Sequence, residues 1–109
     1  MIPNYKEKAD KKYILTSIGA PKDGNLAMNT ILFNIYHKLE RRANALKVIG
    51  YLIWHERNCL NFQVEANKVK RFCSIGSSTE QAFKDLEETG FVECIESKII
   101  IRYDKLLQE

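Results

Sequence analysis

The apolar residues of this chain recur at spacings that predict a strand, four helices and a terminal hairpin. Lys-Tyr-Ile-Leu-Thr-Ser-Ile at residues 12–18 is rich in strand formers and predicts a strand. Residues 19–24 follow as a loop, with Pro21, Asp23 and Gly24 as breakers. Met28, Ile31, Leu32, Ile35, Tyr36 and Leu39 then recur at three and four, which predicts a helix beginning between Asn25 and Asn29 and ending near Arg41. Phe33 falls off that stripe and is expected at the surface, a hint of a partner. A second helix, at 43–57, is apolar on nearly all sides from Leu46 to Trp54, the signature of a central buried helix.

The second half is read the same way. Residues 58–62 form a turn into a short extended piece at 61–63, placed to pair with the terminal hairpin. A helix from Val64 or Glu65 to Phe72 should bury Ala66, Val69 and Phe72 and expose Lys68, Lys70 and Arg71, with Lys68 and Arg71 sharing a face. Ser74-Ile75-Gly76 is a tight turn in which Gly76 can take the left-handed conformation. Ser77, Ser78 or Thr79 caps a helix running to Thr89 that buries Ala82, Phe83 and Leu86 and leaves Thr79 or Glu80, Gln81, Lys84, Asp85, Glu87 and Glu88 outside. Gly90 stops it. Two strands, 91–96 and 99–103, are joined by Ser97-Lys98. Val92 and Cys94 alternate with Glu93, as in a half-buried strand, whereas Ile99, Ile100 and Ile101 are continuous, which suits burial on both faces or a protein contact. Residues 104–109 make a short tail with a helical turn.

Composition narrows the possible classes. At 109 residues with 45% hydrophobic content, the chain can bury a core and forms one domain overall, with a basic arm and strand at 1–24 ahead of the main domain at 25–109. No apolar run reaches membrane-spanning length and no secretory leader is present, so a cytoplasmic protein without membrane contact is expected. Cys59, Cys73 and Cys94 are odd in number and form no close pair, which argues against a disulfide framework. His55 and Cys59 are four apart but lack further ligands, so no metal and no cofactor is expected. The chain has no phosphate loop, no carboxylate pair around a histidine and no Ser or Cys with a base. It reads as a non-enzyme, with His37 and His55 structural or solvated.

The net charge of +3 says little alone, but its distribution is uneven. Residues 37–72 hold eight basic side chains against three acidic ones, whereas residues 73–109 hold four against eight. A molecule polarised in this way can be steered onto phosphates by its basic side.

Helix, turn, helix and hairpin in this order make a winged helix-turn-helix, and residues 43–103 resemble that superfamily. The fold class expected is therefore α+β, mainly α: a winged helix-turn-helix with an N-terminal strand and helix. The segment Phe72-Cys-Ser-Ile-Gly-Ser-Ser-Thr-Glu-Gln-Ala-Phe-Lys-Asp-Leu-Glu-Glu-Thr-Gly-Phe-Val resembles the recognition helix and first wing strand of RepL-type replication proteins. Chain size and the added N-terminal elements are similar to TubR-type centromere-binding adaptors of plasmid partition.

The resemblance implies a sequence-specific double-stranded DNA-binding homodimer of plasmid or phage type, in partition, replication or repression, with a plasmid-encoded filament or replication protein as a further partner. It implies DNA contacts from Lys68, Lys70 and Arg71, from Ser77, Ser78, Thr79, Gln81 and Lys84 at the start of the following helix, and from Lys98 in the wing. The dimer would form through Ile14, Leu15, Phe33 and Tyr36. One departure stands out: the wing turn is short, and Asp85, Glu87 and Glu88 make the second half of the helix acidic. DNA would then meet its N-terminal end, where the helix dipole favours phosphate. A winged-helix module that binds proteins and not DNA is the alternative.

Overall fold

Lys12–Ile18 forms strand β1, and its alternation sets its two faces: Tyr13 and Leu15 are buried, while Lys12, Ile14 and Thr16 are exposed. The computed structural model describes residues 12–22, 25–58, 63–73 and 78–108, with the side chains of 66 and 67 left aside. Helices α1 (Met28–Lys38) and α2 (Arg42–Asn58) follow, then β2 (Gln63–Glu65), α3 (Ala66–Cys73), α4 (Ser78–Glu88), β3 (Val92–Ile95), β4 (Lys98–Arg102) and the short α5 (Tyr103–Leu106). The class is α+β, with a four-stranded mixed sheet of order β2-β1-β4-β3.

The sheet order corrects two expectations. β1 is an inner strand: it pairs antiparallel with β2 (Tyr13 opposite Val64) and parallel with β4 (Leu15 opposite Ile99). The N-terminal strand is therefore flanked on both sides, by β2 at Lys12 to Ile14 and by β4 at Ile14 to Ile18, and is not the edge expected for pairing with a second copy. The extended piece around Gln63 pairs with β1 and does not reach the hairpin. A parallel pair needs a long crossover, and here all of α1 through β3 lies between its strands.

The hairpin turn is also shifted. Glu96, with φ 53, and Ser97 make the turn, so Lys98 opens β4 opposite Ile95. Ile99 and Ile101 are buried and Ile100 is half-buried, because β4 keeps the ordinary alternation while strands flank it on both sides.

The helices complete the core. Ala45, Val48, Ile49, Leu52 and Ile53 of α2 are buried at spacings of three and four. Trp54 is 50% exposed, so the all-round burial expected for α2 does not hold. On α1, Ile31, Ile35 and the following Leu39 face the core, but Met28, Leu32 and Tyr36 are exposed. The apolar surface of α1 is wider than the strip its neighbours cover, and the line 28-32-36 stays exposed. Helix α4 buries Ala82, Phe83 and Leu86 as its spacing predicts. It ends at Gly90, with φ 84. There Phe91 N–H reaches the Leu86 carbonyl (3.0 Å) and Gly90 N–H the Glu87 carbonyl (3.1 Å), the paired bonds of a Schellman cap.

Candidate functional site

Helix α3 is short and carries three of the candidate residues, Lys68, Lys70 and Arg71. Val69 and Cys73, four apart, point into the core, so Lys68 and Arg71 are left exposed and Lys70 half-buried. Lys68 Nζ sits 3.7 Å from Glu65 Oε2. An exposed pair at that distance contributes little stability and leaves the ammonium able to exchange partners. Phe72, predicted inside, is 64% exposed. The line through Val69 and Cys73 fixes the buried side of α3, and Phe72 falls beside it.

The start of α4 differs from expectation in several side chains. Ser77 lies outside the described residues, as does the Gly76 turn. Ser78 is half-buried and Lys84 exposed. Thr79, expected to face a groove, is 1% exposed and belongs to the core side of the helix. Gln81 is half-buried and donates from Nε2 to Asp85 Oδ1 at 2.8 Å, so its amide is engaged within the fold. Lys98 is exposed, on a strand and not in a turn.

Asp85 is the largest departure. The sequence places it on the outer acidic face, yet it is 6% exposed. Arg41, in the link between α1 and α2, clamps it with two bonds of 2.9 Å, Nε to Oδ2 and Nη2 to Oδ1. This hydrogen-bonded guanidinium, helped by Gln81, holds the Asp85 carboxyl below the usual carboxylate range against its desolvation. Arg41 is thus tied to the fold through Asp85, while its own side chain stays 61% exposed. The outward stripe left on α4 is Glu80, Lys84 and Glu88.

Of the residues expected to form a dimer surface, Ile14, Phe33 and Tyr36 are exposed, but Leu15 is buried within its own chain. As an inward residue of an inner strand it cannot reach a second copy. Phe33 stands edge-on to His37 with ring centroids 4.3 Å apart, and the Arg42 guanidinium lies 5.2 Å from the Tyr36 ring centre.

Tyr51 and Trp54 of α2 meet Phe72 of α3 at the surface. Their ring centroids are 5.1 to 6.3 Å apart and their planes are tilted by 30° to 32°. With Lys47 and Cys73 they line a recess of about 370 Å³. The sequence reading missed this cluster. Its signal was present: Lys47, Tyr51 and Trp54 are spaced at four and three, one stripe of α2 beside its aliphatic core residues. Burial pushes the Cys73 thiol up, with Lys47 acting in the opposite sense. Burial and the neighbouring Glu87 carry the Cys94 thiol to about 12, which makes it a poor nucleophile.

Among the described residues, no group of three or more His, Cys, Asp or Glu side chains is placed to hold a metal ion. Cys59, the only partner considered for His55, lies outside the described residues. No helix of the described residues is long and apolar enough to cross a membrane. Comparison of the chain with family models, curated proteins and solved structures finds no match.

Proposed function

We propose that the chain is a sequence-specific double-stranded DNA-binding protein that works as a homodimer, with α2–β4 serving as a winged helix-turn-helix unit. One observation carries most weight: α3 and α4, separated by residues 74–77 and followed by an antiparallel hairpin, leave Lys68, Arg71 and Lys84 exposed. In such a unit α3 supplies phosphate contacts and the start of α4 approaches the groove. Glu80 and Glu88 on the outward stripe of α4 limit close approach to its N-terminal half, because carboxylates further along are repelled by phosphate. With Thr79 buried and Gln81 held by Asp85, phosphate contacts outweigh base contacts. Sequence preference would then rest on Ser78, Lys84 and the shape of the duplex.

The test is the salt dependence of duplex binding. Full-length protein should bind duplex DNA with log K falling linearly against log salt, by about 0.9 per phosphate neutralised. Replacing Lys68 and Arg71 together by Ala should flatten that slope by about two units and weaken all duplexes alike. An unchanged slope removes both residues from the interface. Light scattering at micromolar concentration should give twice the 12.7 kDa chain mass, and a monomer would end the dimer proposal.

A second class is favoured by the same acidic stripe and by the engagement of Gln81: a module of this fold that binds protein and not DNA. Absence of retention on duplex or heparin at low salt would select it.

A further inference from the structure

The surface shared by α2 and α3 carries chemistry that the proposed duplex interface does not use. Tyr51, Trp54 and Phe72 form a triangle of rings with centroids 5.1 to 6.3 Å apart. Trp54 is 50% exposed and Phe72 64% exposed. Their planes lie within 30° to 32° of one another, so a further flat π-system can join them without meeting a ring edge-on. The exposed Lys47 borders the same recess, and among the described residues no carboxylate lines it. Flat rings bordered by the Lys47 ammonium match a ligand that alternates flat bases with phosphates.

We infer that the Tyr51–Trp54–Phe72 shelf binds an unpaired nucleic-acid strand, with bases stacking on the rings and Lys47 facing the backbone. Paired bases inside a duplex cannot reach these rings, so the shelf prefers single strands. An aliphatic protein segment would gain from the rings but would leave Lys47 unmatched. The inference stands apart from duplex binding through α3 and α4. Either can fail while the other holds, because different variants and different ligands report on each.

Trp54 is the only tryptophan in the chain, so its emission reads the shelf directly. The full-length protein is titrated with single-stranded oligo-dT, oligo-rU and an abasic strand of the same length that keeps the phosphates. Both base-bearing strands should quench Trp54 while the abasic strand does not. Quenching by only one of the two identifies DNA or RNA as the source of the strand. Phe72→Ala should weaken oligo-dT binding by roughly 5- to 150-fold, the ratio for one lost base–aromatic stack. Lys47→Glu should weaken it and flatten its salt dependence. Ile95→Ala, exposed on the sheet, should bind like wild type. Thermal melts by circular dichroism check that the variants remain folded. Equal quenching by the abasic strand, or none by either base-bearing strand, overturns the inference. So does a Trp54 emission change that follows protein concentration alone, which would mark the shelf as a contact between copies of the chain.

Discussion

Gly19 and Gly90 share a left-handed backbone, with φ of 80 and 84, but differ in what surrounds them. A Cβ on Gly90 would meet nothing within 4 Å, so Gly90→Ala costs only the backbone strain of that conformation, about 1–2 kcal/mol. A Cβ on Gly19 would sit 2.8 Å from the backbone nitrogen of Asp104. That atom belongs to α5 and cannot swing aside like the tip of a side chain. Gly19→Ala should therefore cost the same strain plus about 1–3 kcal/mol of overpacking. Urea unfolding of the two variants should rank Gly19→Ala well below Gly90→Ala, and equal losses would contradict the close approach of β1 to α5. Gly90 is recognisable in the sequence because a helix pattern stops there. The demand on Gly19 comes from a residue 85 positions later and has no local signature.

Elements are tied together here by a few polar side chains, several of which join parts far apart in sequence. Arg41 joins the α1–α2 link to α4 through Asp85. Asn34 of α1 donates to the carbonyls of Leu106 (2.6 Å) and Gln108 (2.9 Å), and Tyr103 of α5 donates its hydroxyl to Glu56 of α2 at 2.9 Å. On β4, Arg102 bonds both Glu93 and Asp104, and the Arg102 guanidinium holds Asp104 low as well. Because the folded Asp85 is more acidic than an unfolded aspartate at about 3.9, its contribution is present above that pH and is lost as pH falls through the lower folded value. Arg41→Ala should destabilise the protein near neutrality, because it leaves the buried Asp85 carboxylate without its guanidinium partner. The gap to wild type should narrow on acidification, as Asp85 of the variant takes up a proton before the clamped Asp85 does. Denaturation midpoints across that range check the sign, and a gap that widens on acidification would exclude the Arg41–Asp85 clamp as its cause.

At the scale of the whole molecule, the position of β1 decides what the N-terminal region is for. The sequence reading makes Lys12–Ile18 an appendage to a self-sufficient unit and a source of dimer contacts. In the sheet β1 separates β2 from β4, and its Tyr13 and Leu15 are buried in the common core with Ile99 and Ile101. Removing residues 1–18 takes out the strand against which both β2 and β4 pair. The truncated chain should lose its cooperative thermal transition, whereas a fragment left without its dimer contacts would simply become a folded monomer. Circular dichroism melts and size-exclusion chromatography of the two chains separate these outcomes, and a sharp melt of the truncated protein would return β1 to a peripheral role.

The sequence by itself determined the elements. Spacing at three and four marked the helices, Gly90 marked a helix end, and alternation in Val92–Ile95 marked a half-buried strand, because each depends on residues within a turn or two of one another. It also located the exposed Lys68, Arg71 and Lys84, since their neighbours Val69, Phe83 and Leu86 define the buried sides of α3 and α4. Tertiary structure decided which apolar face of each helix is covered. Nothing local distinguishes Ile35 from Tyr36, or Val69 from Phe72, until a neighbouring element lies over one and not the other. It decided that Asp85 and Thr79 turn inward, because the partner that makes Asp85 tolerable is Arg41, in another part of the chain. It likewise placed β1 between two strands and brought Phe72 to Tyr51 and Trp54. Strand order and the meeting of two helix surfaces are long-range pairings, which residue spacing along the chain does not encode.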